Sequence, residues 1–105
     1  MSDFITPPGH MKFQAKMLAT DLNATILDSA VAYVEPGGGG PAPSHTHEKD
    51  HLFIVVDGCA TIKLENESVV LKKDETLYVK GAVEHSVWNE TNQSLKIIKI
   101  NCIHK

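Results

Sequence analysis

The 105-residue chain has no arginine, the side chain whose planar guanidinium grips phosphate and carboxylate in two-point contacts. Its ten basic side chains are all lysine; thirteen acidic ones outnumber them, and the net charge is −3 with no block of one sign. That balance argues against nucleic acid, which asks for a basic face, and against an anionic membrane surface. It also disfavours a phosphorylated substrate, although lysine remains able to act as a point charge. Long apolar runs are missing too: Leu52 to Val56 is the strongest, against the roughly 20 residues that span a bilayer as a helix. The opening MSDFITPPGH carries neither a basic n-region nor an apolar h-region, so no signal peptide is visible and a cytoplasmic protein is the default expectation. Two cysteines, Cys59 and Cys102, are too few for a disulfide framework, and free thiols packed as small hydrophobes are expected.

Helical periodicity is equally scarce. His10 to Leu22 is helix-friendly in composition but lacks an apolar face. Short β-rich runs dominate instead: Thr25 to Val34, Leu52 to Val56, the alternation around Ala60, Ile62 and Leu64, then Ser68 to Leu71, Thr76 to Val79, His85 to Trp88 and Leu95 to Ile100. Turn signals at such spacing suit an all-β sandwich or barrel, and on a small chain a closed barrel or jelly roll protects the edges. Asp57-Gly58 predicts a two-residue type I′ hairpin, and Glu65-Asn66-Glu67 a second hairpin tip. Glu35 to Pro43, with four glycines and three prolines, predicts an irregular loop.

That loop runs straight into Ser44-His-Thr-His-Glu-Lys-Asp-His51. Alternate strand residues share a face, so His45 and His47 point the same way. His51 has the same parity and opens an apolar strand, and His85 opens another. Imidazoles converging from two strands make a site for a divalent transition metal. At this chain's histidine frequency the H-x-H-x3-H spacing arises by chance in roughly 2% of sequences, which favours ligands over structural histidines. Parity gives Phe53, Val55, Val83 and Val87 as neighbours of the ligands, an apolar wall suited to a small organic molecule. Glu48 and Glu84 point outward by the same reasoning, Asn89 reads as a turn or strand-end hydrogen bonder, and His10 and His104 as exposed.

These residues resemble the cupins. The first cupin motif, G-x5-H-x-H-x3-4-E-x6-G, matches Gly39, His45, His47 and Gly58 in every spacing, with His51 in the glutamate position. The second, G-x5-P-x-G-x2-H-x3-N, is poorer: Asp74, Lys80 and Ala82 replace Gly, Pro and Gly, while His85 and Asn89 match. The resemblance covers about Ala30 to Ile100. It implies an all-β jelly-roll barrel (a double-stranded β-helix) of antiparallel strands, frequent homodimers, and one metal (Fe, Mn, Ni or Zn) on His45, His47, His51 and His85. Four-histidine members occur in that family, so His51 reads as a variant ligand. Four neutral ligands leave M²⁺ at +2 rather than +1, a stronger Lewis acid and a better receptor for small anions.

The expected organisation is an N-terminal extension over 1–24, reaching toward a partner copy, and a barrel over 25–105. Three functional classes stay open. They are a metal-dependent enzyme of oxygenase, C–C-cleaving or isomerase type, a non-catalytic small-molecule or metal sensor, and a structural zinc site. Closed structural zinc sites are usually cysteine-rich, and no cysteine adjoins the cluster, so the structural reading ranks last.

Overall fold

β-Branched and aromatic residues at alternating positions build eight strands: β1 (Ala24–Val34), β2 (Gly39–His45), β3 (Asp50–Asp57), β4 (Cys59–Leu64), β5 (Ser68–Lys72), β6 (Thr76–Val79), β7 (His85–Trp88) and β8 (Leu95–His104). The computed structural model describes residues 3–46 and 48–104, with the side chains of Pro43, Ser44 and His45 outside that description. No helix occurs among the described residues, so none is long and apolar enough to cross a membrane. Two antiparallel four-stranded sheets form, in the orders β1-β8-β3-β6 and β2-β7-β4-β5. Sequence neighbours mostly lie in opposite sheets, the jelly-roll arrangement expected of an all-β barrel.

The core between the sheets takes alternate residues from each strand: Phe53 and Val55 from β3, Ala60 and Ile62 from β4, Leu71 from β5, Val79 from β6, Leu95 and Ile97 from β8. Val55, Ile62 and Leu95 are fully buried. Removing most of any of these larger side chains costs about 2–5 kcal/mol, because the sheets close only partly over the hole.

Two turn expectations change. Asp57-Gly58 is not a hairpin, since β3 pairs with β6 and β8 while β4 pairs with β5 and β7. A type I′ turn needs positive φ at both positions; Gly58 has φ 87°, and Asp57 is not among the positive-φ residues. The pair is a corner between sheets, where a Cβ at Gly58 would sit 2.6 Å from the Ser94 carbonyl oxygen. The second change is in the glycine-rich segment, whose latter half is strand β2, paired with β7 at Gly39–Trp88, Gly40–Val87 and His45–His85. Glycine is required there by close approach: a Cβ on Gly39 would collide with the Val87 carbonyl and the Trp88 ring. Composition pointed to a loop because what keeps that strand in place is its partner, not its own side chains.

The β4–β5 tip and Asn89 behave as expected. Leu64 N–H donates to Glu67 O at the β4–β5 tip, and Asp74 adopts φ 67° in the β5–β6 turn, a conformation that aspartate tolerates. Asn89 is 1% exposed. Its amide donates to Val34 O and Gln93 O and accepts from Thr91 N–H and Oγ1, tying the ends of β1 and β7 together.

Candidate metal centre

The two facing sheets each deliver one described histidine to the same end of the interior. His51, second residue of β3, lies in register with Asn101 of β8 and Val79 of β6. His85 opens β7 in register with His45 of β2 and Leu64 of β4. Both are buried, at 5% and 3% exposure. Their rings meet across the gap with centroids 4.9 Å apart and planes at 70°. Imidazoles sharing one ion through Nε2 at about 2.1 Å keep their centroids about 5 Å apart when the ligand angle lies between octahedral and tetrahedral. The observed pair fits such an ion.

The hydrogen bonds fix which nitrogen each ring offers. His85 Nδ1 lies 2.7 Å from Val83 O, and a carbonyl only accepts, so Nδ1 carries the proton and the neutral ring keeps its lone pair on Nε2. For His51 the same result comes by a longer route. Asn101 Nδ2 donates to the Asp28 carboxylate at 2.6 Å, which orients the amide and leaves its Oδ1 facing His51 Nδ1 at 2.7 Å. His51 therefore donates from Nδ1, and Nε2 holds its lone pair too. Carboxylate or carbonyl partners behind metal-ligating imidazoles commonly fix tautomer and orientation in this way.

A second buried network holds the loop before β7. Asp50 accepts from Tyr78 Oη at 2.6 Å and from Gly81 N–H at 2.9 Å. The Tyr78 hydroxyl, then the Gly81 amide, hold its carboxyl below the ordinary range against the opposing effect of burial. Burial and the neighbouring carboxylate push the Tyr78 phenol up to about 12. Asp50 opens β3 next to His51, so one residue anchors the His51 strand to the segment that leads to Val83 and His85.

His51, His85, Gly40, Pro41, Phe53, Val87 and Lys99 line a cavity of about 90 Å³. A larger one, about 520 Å³, shares Gly40, Phe53, Val87 and Lys99 and extends along β1 past Ala30, Ala32 and Val34. Phe53 and Val87 thus line both spaces. Val55 lies deeper, fully buried in the core, and Val83 packs against that core half-buried. His45 is placed by backbone register alone, and His47 lies outside the described residues. Among the described residues no group of three potential ligands forms. Glu48, Glu84, His10 and His104 are exposed. Cys59 and Cys102 are free, Cys102 buried.

Three polar residues of this site were not anticipated: Asp28, Lys99 and Asn101. The signal was parity on β8, where Lys99 and Asn101 continue the inward face set by Leu95 and Ile97. It was masked because Ile98 and Ile100 make the other face apolar as well.

The sequence profile of the cupin domain matches residues 30–101. A mannose-1-phosphate guanylyltransferase of Salmonella montevideo is 31% identical over 67 residues, 64% of this chain but 14% of that protein. The solved plu4264 protein of Photorhabdus luminescens superposes with a TM-score of 0.65 at 25% identity, covering 83% of this chain and 69% of that one. A predicted oxalate decarboxylase of Thermotoga maritima superposes with a TM-score of 0.67 at 16% identity, over 74% and 67% of the two chains.

Proposed function

The chain belongs to the cupin domain family, and from that premise we propose that it binds one divalent transition metal through His45, His47, His51 and His85 and acts on a small organic molecule in the adjoining pocket. The metal is iron, manganese, nickel or zinc, and the reaction is of the oxygenase, C–C-cleaving or isomerase type. The observation that supports this most directly is the His51–His85 pair: two buried rings from opposite sheets, 4.9 Å apart, each with Nδ1 on an acceptor. Bound metal would supply Lewis acidity toward an oxygen of the substrate. The residues do the rest. His51 and His85 orient their lone pairs, and Phe53, Val87, Ala30, Ala32 and Ile97 offer an apolar wall for the body of a small molecule. A non-catalytic binder on the same pocket has one observation in its favour: among the described residues no carboxylate lines the cavity at the histidines, where a general base would sit. Turnover of a chelating substrate separates the two readings.

Metal analysis of protein purified without a histidine tag should give one ion per chain. Acidification should release it with a midpoint below the ordinary imidazole value of about 6.5, because ligation needs neutral rings and the metal competes with protons. Full retention near pH 3 would exclude a histidine ligand set.

We further propose that a second copy covers β1. This edge strand is exposed along nearly its whole length, with Ile26 at 68%, Val31 at 54% and Tyr33 at 69%, and a long apolar edge invites pairing. The preceding arm exposes Ile5, Met11, Phe13 and Met17, apolar side chains with no core of their own to join. Light scattering at micromolar concentration should return twice the 11.5 kDa chain mass; the single mass would refute the pairing.

A further inference from the structure

We infer that Lys99 sets the ligand class of this pocket, selecting a small organic monocarboxylate whose apolar body occupies the larger cavity. The inference rests on the proposed use of the pocket for a small molecule and adds its charge. Lys99 sits on the inner face of β8, opposite Phe53 of β3 and Ala30 of β1. Below it on the same face lie Leu95 and Ile97, both buried in the core; beyond it lies Asn101, which is tied to His51 and Asp28. It is half-buried and lines both the histidine cavity and the larger one. It therefore marks the junction between the candidate metal and the apolar space.

Lys99 is half-buried beside the exposed Ala30, so its stem packs on the apolar wall while its ammonium stays accessible to a ligand entering the cavity. Among the described residues no carboxylate pairs with Lys99; the ion pair observed is Lys63–Glu90 on the surface. Asp28 is engaged by Asn101. Glu35 also lines the larger cavity, but it lies five residues along the chain from Ala30, about 16 Å at the rise of a strand. A ligand in the cavity can therefore supply the counter-charge that no described carboxylate provides. Its size follows from the cavity, about 520 Å³ with Ala30, Ala32, Val34, Phe53, Val87 and Ile97 on its walls. Its charge follows from the cation: one ammonium, in a chain without arginine, matches the single charge of a carboxylate more closely than a phosphate dianion.

A matched pair of probes tests this: 3-phenylpropionate and its amide, titrated calorimetrically into protein as purified, with metal content measured on the same samples. The parent should prefer the acid. Lys99→Met should cost the acid at least about tenfold in affinity, as expected for a lost charge-assisted contact, with the amide and the metal content unchanged. Lys99→Arg should keep the preference. Three outcomes would overturn the inference: a parent that does not prefer the acid, Lys99→Met retaining the preference, or Lys99→Met weakening acid and amide equally. Should Lys99→Met fail to fold, the parent's acid-over-amide ratio and its retention in Lys99→Arg still decide. The same titrations on chelator-stripped protein remove the ion's own pull on the acid, so that ratio reads Lys99; absence of metal from the parent as purified would count against the metal reading alone.

Discussion

Replacing His85 with alanine should weaken metal affinity at least about tenfold, the lower end of what even the partners behind a ligand are worth, and lower occupancy at limiting metal. Replacing His104 should leave occupancy unchanged. The two differ in place, not chemistry. His85 is 3% exposed, lies against His51 and has its Nδ1 committed to Val83 O, whereas His104 is exposed at the end of β8. Truncation at 85 removes a lone pair aimed into the interior and leaves Val83 O without its donor, so some stability goes too. An unsatisfied acceptor costs about 1–3 kcal/mol when fully buried, and toward the lower end of that at half-buried Val83. Occupancy must therefore be read at a temperature where circular dichroism shows the variant folded. Alanine at 45, 47 or 51 should act in the same direction, and alanine at His10, exposed and bonded to Pro8 O, should not. Equal occupancy across all six variants would remove the site from this end of the barrel.

The strands were legible because each carries its own period. β4 alternates apolar and polar residues, β6 and β7 stand where β-branched and aromatic residues cluster, and β3 is a short apolar run beginning at the histidine. β2 was not legible, since a segment of glycine and proline has no side-chain period, and its place is set by β7 and by the room beside Trp88. Asp57-Gly58 misled because the hairpin and the corner between sheets both want a glycine with positive φ; only strand pairing separates them. At the site, the ligand candidates stood out by spacing, whereas the residues that orient them did not. Asn101 lies 50 residues from His51 and 73 from Asp28, the two side chains it bonds. No local pattern joins them, and the register of β8 between β1 and β3 brings them together.

That register alters the expectation for His51. By motif alone, His51→Glu restores the commoner residue and should keep the metal, since a carboxylate is an acceptable ligand for iron, manganese and nickel. The Asp28–Asn101–His51 chain says otherwise. Asn101 gives its Nδ2 to Asp28 and its Oδ1 to the His51 N–H. A glutamate at 51 has no proton to donate, so carboxylates would flank the amide on both sides and its oxygen would face one of them whichever way it turned. The penalty is about 1–3 kcal/mol for a buried polar pair, toward the lower end here because Asp28 is exposed and can turn to water. His51→Glu alone should therefore bind metal roughly tenfold more weakly than the parent, though better than His51→Ala, which supplies no ligand atom. Adding Asp28→Asn should recover most of the loss. The amide introduced at position 28 can donate to a flipped Asn101, whose Nδ2 then serves the new carboxylate at position 51. On the parent background the same Asp28→Asn change should do little, since the introduced amide can still accept from Asn101. In the recovered double variant the ion and its ligands carry +1 in place of +2, so a chelating anion such as a β-diketonate should bind less tightly. Competition titration of the parent, the two single variants and the double variant against a metal chelator gives the coupling between 28 and 51 directly. Parent-like affinity in His51→Glu, or no recovery on adding Asp28→Asn, would show that Asn101 does not dictate which ligand position 51 accepts.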